Sequence, residues 1–201
     1  MKIALIGATG NAGTPILHEL VRRGHAVTAI VRNPEKVVAQ PKVTAKKGDV
    51  ADQQGLAALL KGHDAVISSV HFTGDPNKLI EAVRASGVKR YLVVGGAGSL
   101  EVAPGKKVID TPEFPPEYKT EAAAGGAFLD LLKQEKELDW TFLSPSALFF
   151  AGPRTGKFRL GTDQLLTNDK GSSISFEDYA IALVDEIEKP AHSRKRFTVG
   201  Y

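Results

Sequence analysis

The chain has no cysteine, one methionine and one tryptophan in 201 residues. Without cysteine there are no disulfides, thiolate nucleophiles, cysteine-ligated zinc sites or iron–sulfur clusters. The absence also fits a reducing compartment, so the expected location is the cytoplasm. No apolar run approaches the roughly 20 residues that span a bilayer, and no membrane partner is expected. Residues 1–6 hold one lysine and a four-residue apolar run, too short for the core of a secretory signal. A dominant charge is missing as well. The 26 Lys and Arg against 23 Asp and Glu leave +3. A nucleic-acid footprint would need basic residues gathered on one face, and none is expected.

What the chain does have is alternation. Short aliphatic runs at 3–6, 27–31, 43–47, 65–69, 91–94 and 141–143 are bounded by Gly, Asp or Pro. They read as strands buried on both faces of a parallel sheet. Helical patterns lie between them. Ile16, Leu17, Leu20 and Val21 make one stripe that stops at Gly24. Further helices are expected over 53–60, 78–86 and 117–136. A separate final helix carries Ala180, Leu183, Val184 and Ile187 at helical spacing before Pro190. The fold class expected is α/β, a Rossmann-type doubly wound parallel sheet spanning residues 1–201 as one domain. Two stretches, 96–116 and 144–172, look irregular. Each follows a strand, so each should hang at the carboxyl edge, where such sheets bind ligands.

The first strand runs into Gly7-Ala8-Thr9-Gly10-Asn11-Ala12-Gly13 and then a helix. The pattern G-x-x-G-x-x-G in that setting is a dinucleotide signature. It gives a tight turn, a bare backbone for a pyrophosphate, and free N–H groups at the positive end of a helix. No Lys-Ser or Lys-Thr follows, so it is not a nucleotide-triphosphate loop. An acid at the end of the second strand would bind the ribose hydroxyl of NAD. Here Val31 is followed by Arg32, Asn33 and Pro34. The guanidinium fork of Arg32 suits a 2′-phosphate, which favours NADP over NAD. The basic surplus agrees in place: residues 1–73 hold 9 basic and 5 acidic side chains.

With Arg32, the segments Gly48-Asp49-Val50, 94–100, 173–182, 154–157 and 196–201, the chain resembles the atypical short-chain dehydrogenase/reductases. Within them it is most similar to the NAD(P)H-dependent flavin reductase branch, related to biliverdin reductase B and to NmrA-like proteins. The resemblance covers essentially the whole chain. It implies that Thr9, Asn11 and Ala12 contact the pyrophosphate and that Asp49 and Val50 flank the adenine. It implies that Ser69, Val70 and His71 line the route to the nicotinamide. Gly95 and Gly96 would lie beside that ring, and Pro145, Ser146 and Ala147 would close its end. A small substrate region is implied at 145–195.

The chain also departs from the wider family. Alcohol-oxidising members use a Tyr-x-x-x-Lys pair for proton transfer. Tyr118, Tyr91 and Tyr179 have Ala122, Gly95 and Leu183 at that offset. Hydride transfer to a flavin (FMN or FAD) or a quinone does not need the pair, because the cofactor carries the chemistry. Ser99, Tyr118 and Lys119 are the catalytic candidates near the hydride path. Phe149 and Phe150 are candidates to stack on a flat acceptor. Arg154, Lys157 and Arg159 are candidates to attract an acidic one, while Arg194-Lys195-Arg196 reads as surface. His18, His25, His63 and His192 lack ligand spacing, and no metal is expected. The expected partner is a small aromatic acceptor, with monomer and dimer both open. The alternative is a non-catalytic dinucleotide sensor, as the NmrA-like resemblance allows.

Overall fold

The computed structural model describes residues 1–201. An eight-stranded sheet runs in the order β10-β12-β8-β5-β4-β1-β2-β3. Seven of its members are β1 (Lys2–Ile6), β2 (Ala26–Val31), β3 (Val43–Lys47), β4 (Ala65–Ser68), β5 (Arg90–Val94), β8 (Asp139–Ser144) and β12 (Lys195–Gly200). These seven are parallel, and β10 (Arg159–Gly161) pairs antiparallel with β12 at the edge. The chain winds outward from β1 to β3, returns to β4 beside β1, and winds outward the other way. The order therefore reverses between β1 and β4.

The period-two alternation of each strand feeds two cores. Ile3 and Leu5 point to one face, where they meet Ile16, Leu17 and Leu20 of α1 (Gly13–Arg22) and Leu183, Val184 and Ile187 of α5 (Phe176–Glu188). Ala4 and Ile6 point to the other. There they meet Leu56 and Leu60 of α2 (Gln53–Leu60), Leu79 and Val83 of α3 (Pro76–Ser86), and Phe128 and Leu132 of α4 (Lys119–Gln134). Each fully buried Leu or Ile contributes about 1.5–3 kcal/mol by leaving water. With helices covering both faces, ligand access is left to the edges.

Local rules explain the boundaries. Helix α3 starts two residues earlier than its apolar pattern implies, because Asp75 caps it through the Asn77 N–H and Pro76 takes the first turn. Helix α4 is preceded by a 3-10 turn, Pro116–Tyr118. Strand β3 is half exposed and sits at the sheet edge, so it is not buried on both faces as its sequence implied. Strand β12 was not foreseen. Phe197, Thr198 and Val199 are buried between β8 and β10, behind a basic run that reads as surface.

The two stretches that looked irregular hold short pairings. Residues 96–116 contain a hairpin of β6 (Glu101–Ala103) and β7 (Lys106–Lys107). Residues 144–172 contain β9 (Leu148–Phe150), which pairs with β11 (Ser173–Ser175), and β10. Within 145–195, α5 belongs to the main helical layer, and the segment before it forms a rim beside the carboxyl ends of β8 and β12.

Candidate functional site

Strands β1, β4, β5 and β8 are neighbours in the sheet, so their carboxyl ends form one continuous ledge. The turn from β1 to α1 opens it. Gly7 sits at φ +84°, and a Cβ there would fall 2.0 Å from the Ser69 carbonyl oxygen. The turn is thus in backbone contact with the end of β4, at the reversal of strand order. A Cβ on Gly13 would fall 2.0 Å from the Gly7 carbonyl oxygen. The first residue of α1 is therefore folded directly onto the turn. Gly10 is different: its nearest atom would be 3.6 Å away, and the residue is exposed. No packing inside the chain requires a bare backbone there.

Helices α2, α3 and α5 are each closed by a side chain, Asp52, Asp75 and Ser175 respectively. Helix α1 has no side-chain cap and no acid in its first turn. The amides of Asn11, Ala12 and Gly13 have no acceptor within the chain. Free N–H groups at the positive end of a helix dipole suit a phosphate. These residues fit a dinucleotide pyrophosphate.

Arg32 is exposed directly after β2. Asn33 leads into a 3-10 turn, Pro34–Lys36, that carries the chain toward α1. Between them lies a cavity of about 250 Å³, lined by Thr9 and Thr14 from the glycine turn and α1, with His18, Lys36 and Gln40 on its walls. The sequence pointed to neither Lys36 nor Gln40, and it offered His18 only as a histidine without metal-ligand spacing. The signal available was Lys36, a second base four residues after Arg32 in a proline-started turn. Past β3, the exposed Asp49 accepts the Ala51 N–H at 2.8 Å, and Val50 packs against the α2–α3 core.

After β4, the Ser69 N–H donates to the Ile6 carbonyl at 2.8 Å. Val70 is half-buried and His71 is 90 % exposed. After β5, the Gly95 N–H donates to Leu143 O at 2.9 Å, and Gly96 follows, half-buried. A Cβ on Gly98 would lie 2.8 Å from the Ala122 methyl, so this loop rests on the first turns of α4. Ala122 stands four residues after Tyr118, where a Tyr–Lys pair would have its lysine. A methyl group against backbone fills that position.

Ser99 is held from behind. Its hydroxyl accepts from Arg196 at 3.0 Å and its carbonyl accepts from the same guanidinium at 3.3 Å. Arg196 is only 5 % exposed and pairs with Asp163 at 2.9 Å. The expectation that the 194–196 run is surface is corrected for Arg196, because β12 carries its side chain inward to this loop. Tyr118 and Lys119 are exposed at the start of α4. After β8, Pro145 and Ser146 are buried, and the Ser146 hydroxyl donates to Val199 O at 2.9 Å. Ala147 is exposed and its N–H donates to Ser172 Oγ at 3.1 Å.

Three acceptor candidates are engaged elsewhere. Phe149, half-buried, packs on Phe176 and Tyr179, with ring centroids 4.5 and 4.7 Å apart, and so lies against the core. Arg154 forks onto the buried Glu19 of α1 with two bonds of 2.9 Å. Arg159 holds the backbone oxygens of Thr167 and Tyr201. Phe150 is half-buried and Lys157 exposed.

The Arg154 segment is strapped to the helices by two carboxylates. Burial pushes the Glu19 carboxyl up, but the Arg154 and Arg23 guanidiniums outweigh it and hold the group below its usual range. Asp178, fully buried, accepts the Thr155 hydroxyl, the Tyr201 hydroxyl and the Thr155 and Gly156 amides. Burial raises this group too, and those four donors bring it below the ordinary aspartate value.

Residues 7–190 match the protein family described as NAD(P)H-binding. YwnB of Bacillus subtilis, a protein without an assigned role, is 47 % identical over 211 residues, covering 99 % of this chain and 98 % of that one. A Bacteroides thetaiotaomicron structure, provisionally described as an epimerase, is 44 % identical with a TM-score of 0.96, covering 100 % of this chain and 96 % of its own. A Streptococcus pneumoniae structure, provisionally described as an NADH-flavin reductase, is 42 % identical with a TM-score of 0.86, covering 100 % and 99 %.

Proposed function

The chain belongs to the NAD(P)H-binding family of oxidoreductases, and on that footing we infer that it is an NADPH-dependent reductase. It would pass hydride to a planar aromatic acceptor, a free flavin such as FMN or FAD or a quinone. The observation that carries this reading is the uncapped start of α1 beside the open backbone of Gly10, with Lys36 on the wall of the adjoining cavity and Arg32 exposed at the end of β2. In this reading Thr9, Asn11, Ala12 and the three glycines hold the pyrophosphate, and Arg32 with Lys36 takes the 2′-phosphate. Asp49 and Val50 face the adenine. Ser69, Val70 and His71 line the middle of the path. Gly95, Gly96, Pro145, Ser146 and Ala147 form the nicotinamide end. The region 145–195 supplies the acceptor side through its rim ahead of α5.

A bound nicotinamide supplies the hydride. The chain's own work is then to orient that ring against the acceptor and to exclude water from the pair. In this reading Ser99, Tyr118 and Lys119 serve the acceptor side, and the Ser99 hydroxyl, whose oxygen accepts from Arg196, keeps its O–H for donation. The pneumococcal relative's description supports a flavin as acceptor. The preference for NADPH rests on Arg32 at the end of β2, where an NAD-binding chain would carry an acid; the first acid after the strand, Glu35, comes three residues later in the Pro34–Lys36 turn. The epimerase description of the Bacteroides relative finds no support in this chain, which lacks a Tyr–Lys pair.

The test is loss of NADPH absorbance with FMN, FAD or a benzoquinone, with and without protein. Catalysed loss is expected with at least one of them. The rival reading is a dinucleotide sensor, favoured by the same missing pair. Tight NADPH binding with no loss across that panel would establish the sensor instead.

A further inference from the structure

One carboxylate at the ledge is neither a core ion pair nor a surface charge. Glu121 stands in the first turn of α4, where the positive end of the helix favours an anion. Its Oε1 accepts the Phe72 N–H at 2.8 Å and lies 3.3 Å from His71 Nδ1. Its Oε2 is shut off from solvent and has no donor. A buried carboxylate oxygen without a donor is costly. The Phe72 backbone is pinned, since its ring packs on Phe128 and Phe142 at 5.3 and 6.0 Å and lies against Gly125 of α4. The carboxylate is thus fixed, and the adjacent imidazole, 90 % exposed, is the movable part.

We propose that Glu121 and His71 form a proton-delivery pair for the reductase reaction of this same site, with His71 the donor and Glu121 its positioning residue. The proposal rests on the reductase reading above. Two-electron reduction of an isoalloxazine or quinone by hydride leaves negative charge on a ring nitrogen or oxygen. Protonated His71 gives its Nε2 proton to that atom and is left neutral, with the remaining proton on Nδ1 held by Glu121. Water then returns a proton to the exposed Nε2. Catalytic hydrogen bonds are often long in the free protein and tighten when ligand binds, and the 3.3 Å spacing fits that pattern. The other charged group lining the same small pocket as His71 is Asp75, and Tyr118 and Lys119 precede Glu121 by three and two residues at the start of α4. None of the three shares the Glu121 contact to Nδ1.

The test uses His71→Gln, Glu121→Gln and the double variant in the NADPH-oxidation assay, together with nitrogen-15 NMR of the histidine rings. His71→Gln should lower kcat by about 100-fold or more, the scale of general acid catalysis, and Glu121→Gln should lower it in the same direction by less. The double variant should lose no more than the worse single, and NADPH affinity should stay within about twofold in Glu121→Gln. The fall of kcat at high pH should disappear in His71→Gln. In the free protein, neutral His71 should carry its proton on Nδ1, and Glu121→Ala should move it to Nε2. If turnover persists with kcat and its pH profile unchanged in the variants, or if the tautomer is indifferent to Glu121, the pair is overturned and the reductase reading stands. If wild type binds NADPH but reduces no acceptor, the reading itself falls and the proton step with it.

Discussion

A methyl group added at Gly13 would have to share space with the Gly7 carbonyl oxygen, 2.0 Å from the ideal Cβ position. Gly13→Ala should therefore lower the melting temperature by roughly 5 °C or more, the cost of overpacking in a chain of this size. Gly10→Ala meets nothing nearer than 3.6 Å. It should melt within about 1 °C of wild type while weakening NADPH by roughly tenfold, since only the ligand needs the bare backbone. Thermal melts with and without NADPH separate the two, and equal melting losses would remove the argument. Arg32→Glu should weaken NADPH by roughly 10- to 100-fold, the worth of a charge-assisted contact, with NADH little changed. Titration calorimetry with both nucleotides checks this, and equal losses would remove the 2′-phosphate assignment.

The segment around residues 151–158 is an element held by two acids rather than by its own ladder. Glu19 binds Arg154, and Asp178 gathers Thr155 and Gly156. Both carboxylates sit below their ordinary values of 4.5 and 3.8 in the folded chain. Their stabilisation is complete above those ordinary values and is lost as pH falls through the lower folded ones. Amide exchange at Thr155 and Gly156 should therefore accelerate on acidification below about pH 4, before the central strands exchange. Asp178→Asn should speed exchange there at neutral pH, and an acid-insensitive strap would contradict the assignment.

Most elements were legible because each carries one clear local signal. β1, β2, β4, β5 and β8 are aliphatic runs, and α1 and α5 are stripes with a stop after them. β12 was not legible, since its burial comes from β8 and β10 on either side while Lys195 and Arg196 make it look wet. The glycine turn and Arg32 were readable as sequence-local features. Glu121 was not, because its partner Phe72 lies 49 residues away and only folding brings them together. The commitments of Arg154 and Phe149 are likewise long-range, and no spacing rule announces them.

On the scale of the whole molecule, the charge surplus in the first third now has a location. Lys36 lines the cavity beside the glycine turn, and Arg32 directly follows β2, whose Ile30 carbonyl accepts the Gly7 N–H at 3.0 Å. Helices on both faces leave ligand access to the edges, doubly wound sheets bind ligands at the carboxyl one, and the strand reversal beside Gly7 lies at its centre. No helix is long and apolar enough to cross a membrane. The central claim is that this ledge moves hydride from NADPH to an aromatic acceptor. The most direct measurement is anaerobic single turnover of protein-bound NADPH, carrying deuterium or hydrogen on C4, against FMN or a quinone. The account predicts bleaching of the acceptor at a rate set by the protein and slowed severalfold by deuterium. NADPH bound tightly with its absorbance unchanged, and no bleaching of any acceptor, would contradict it.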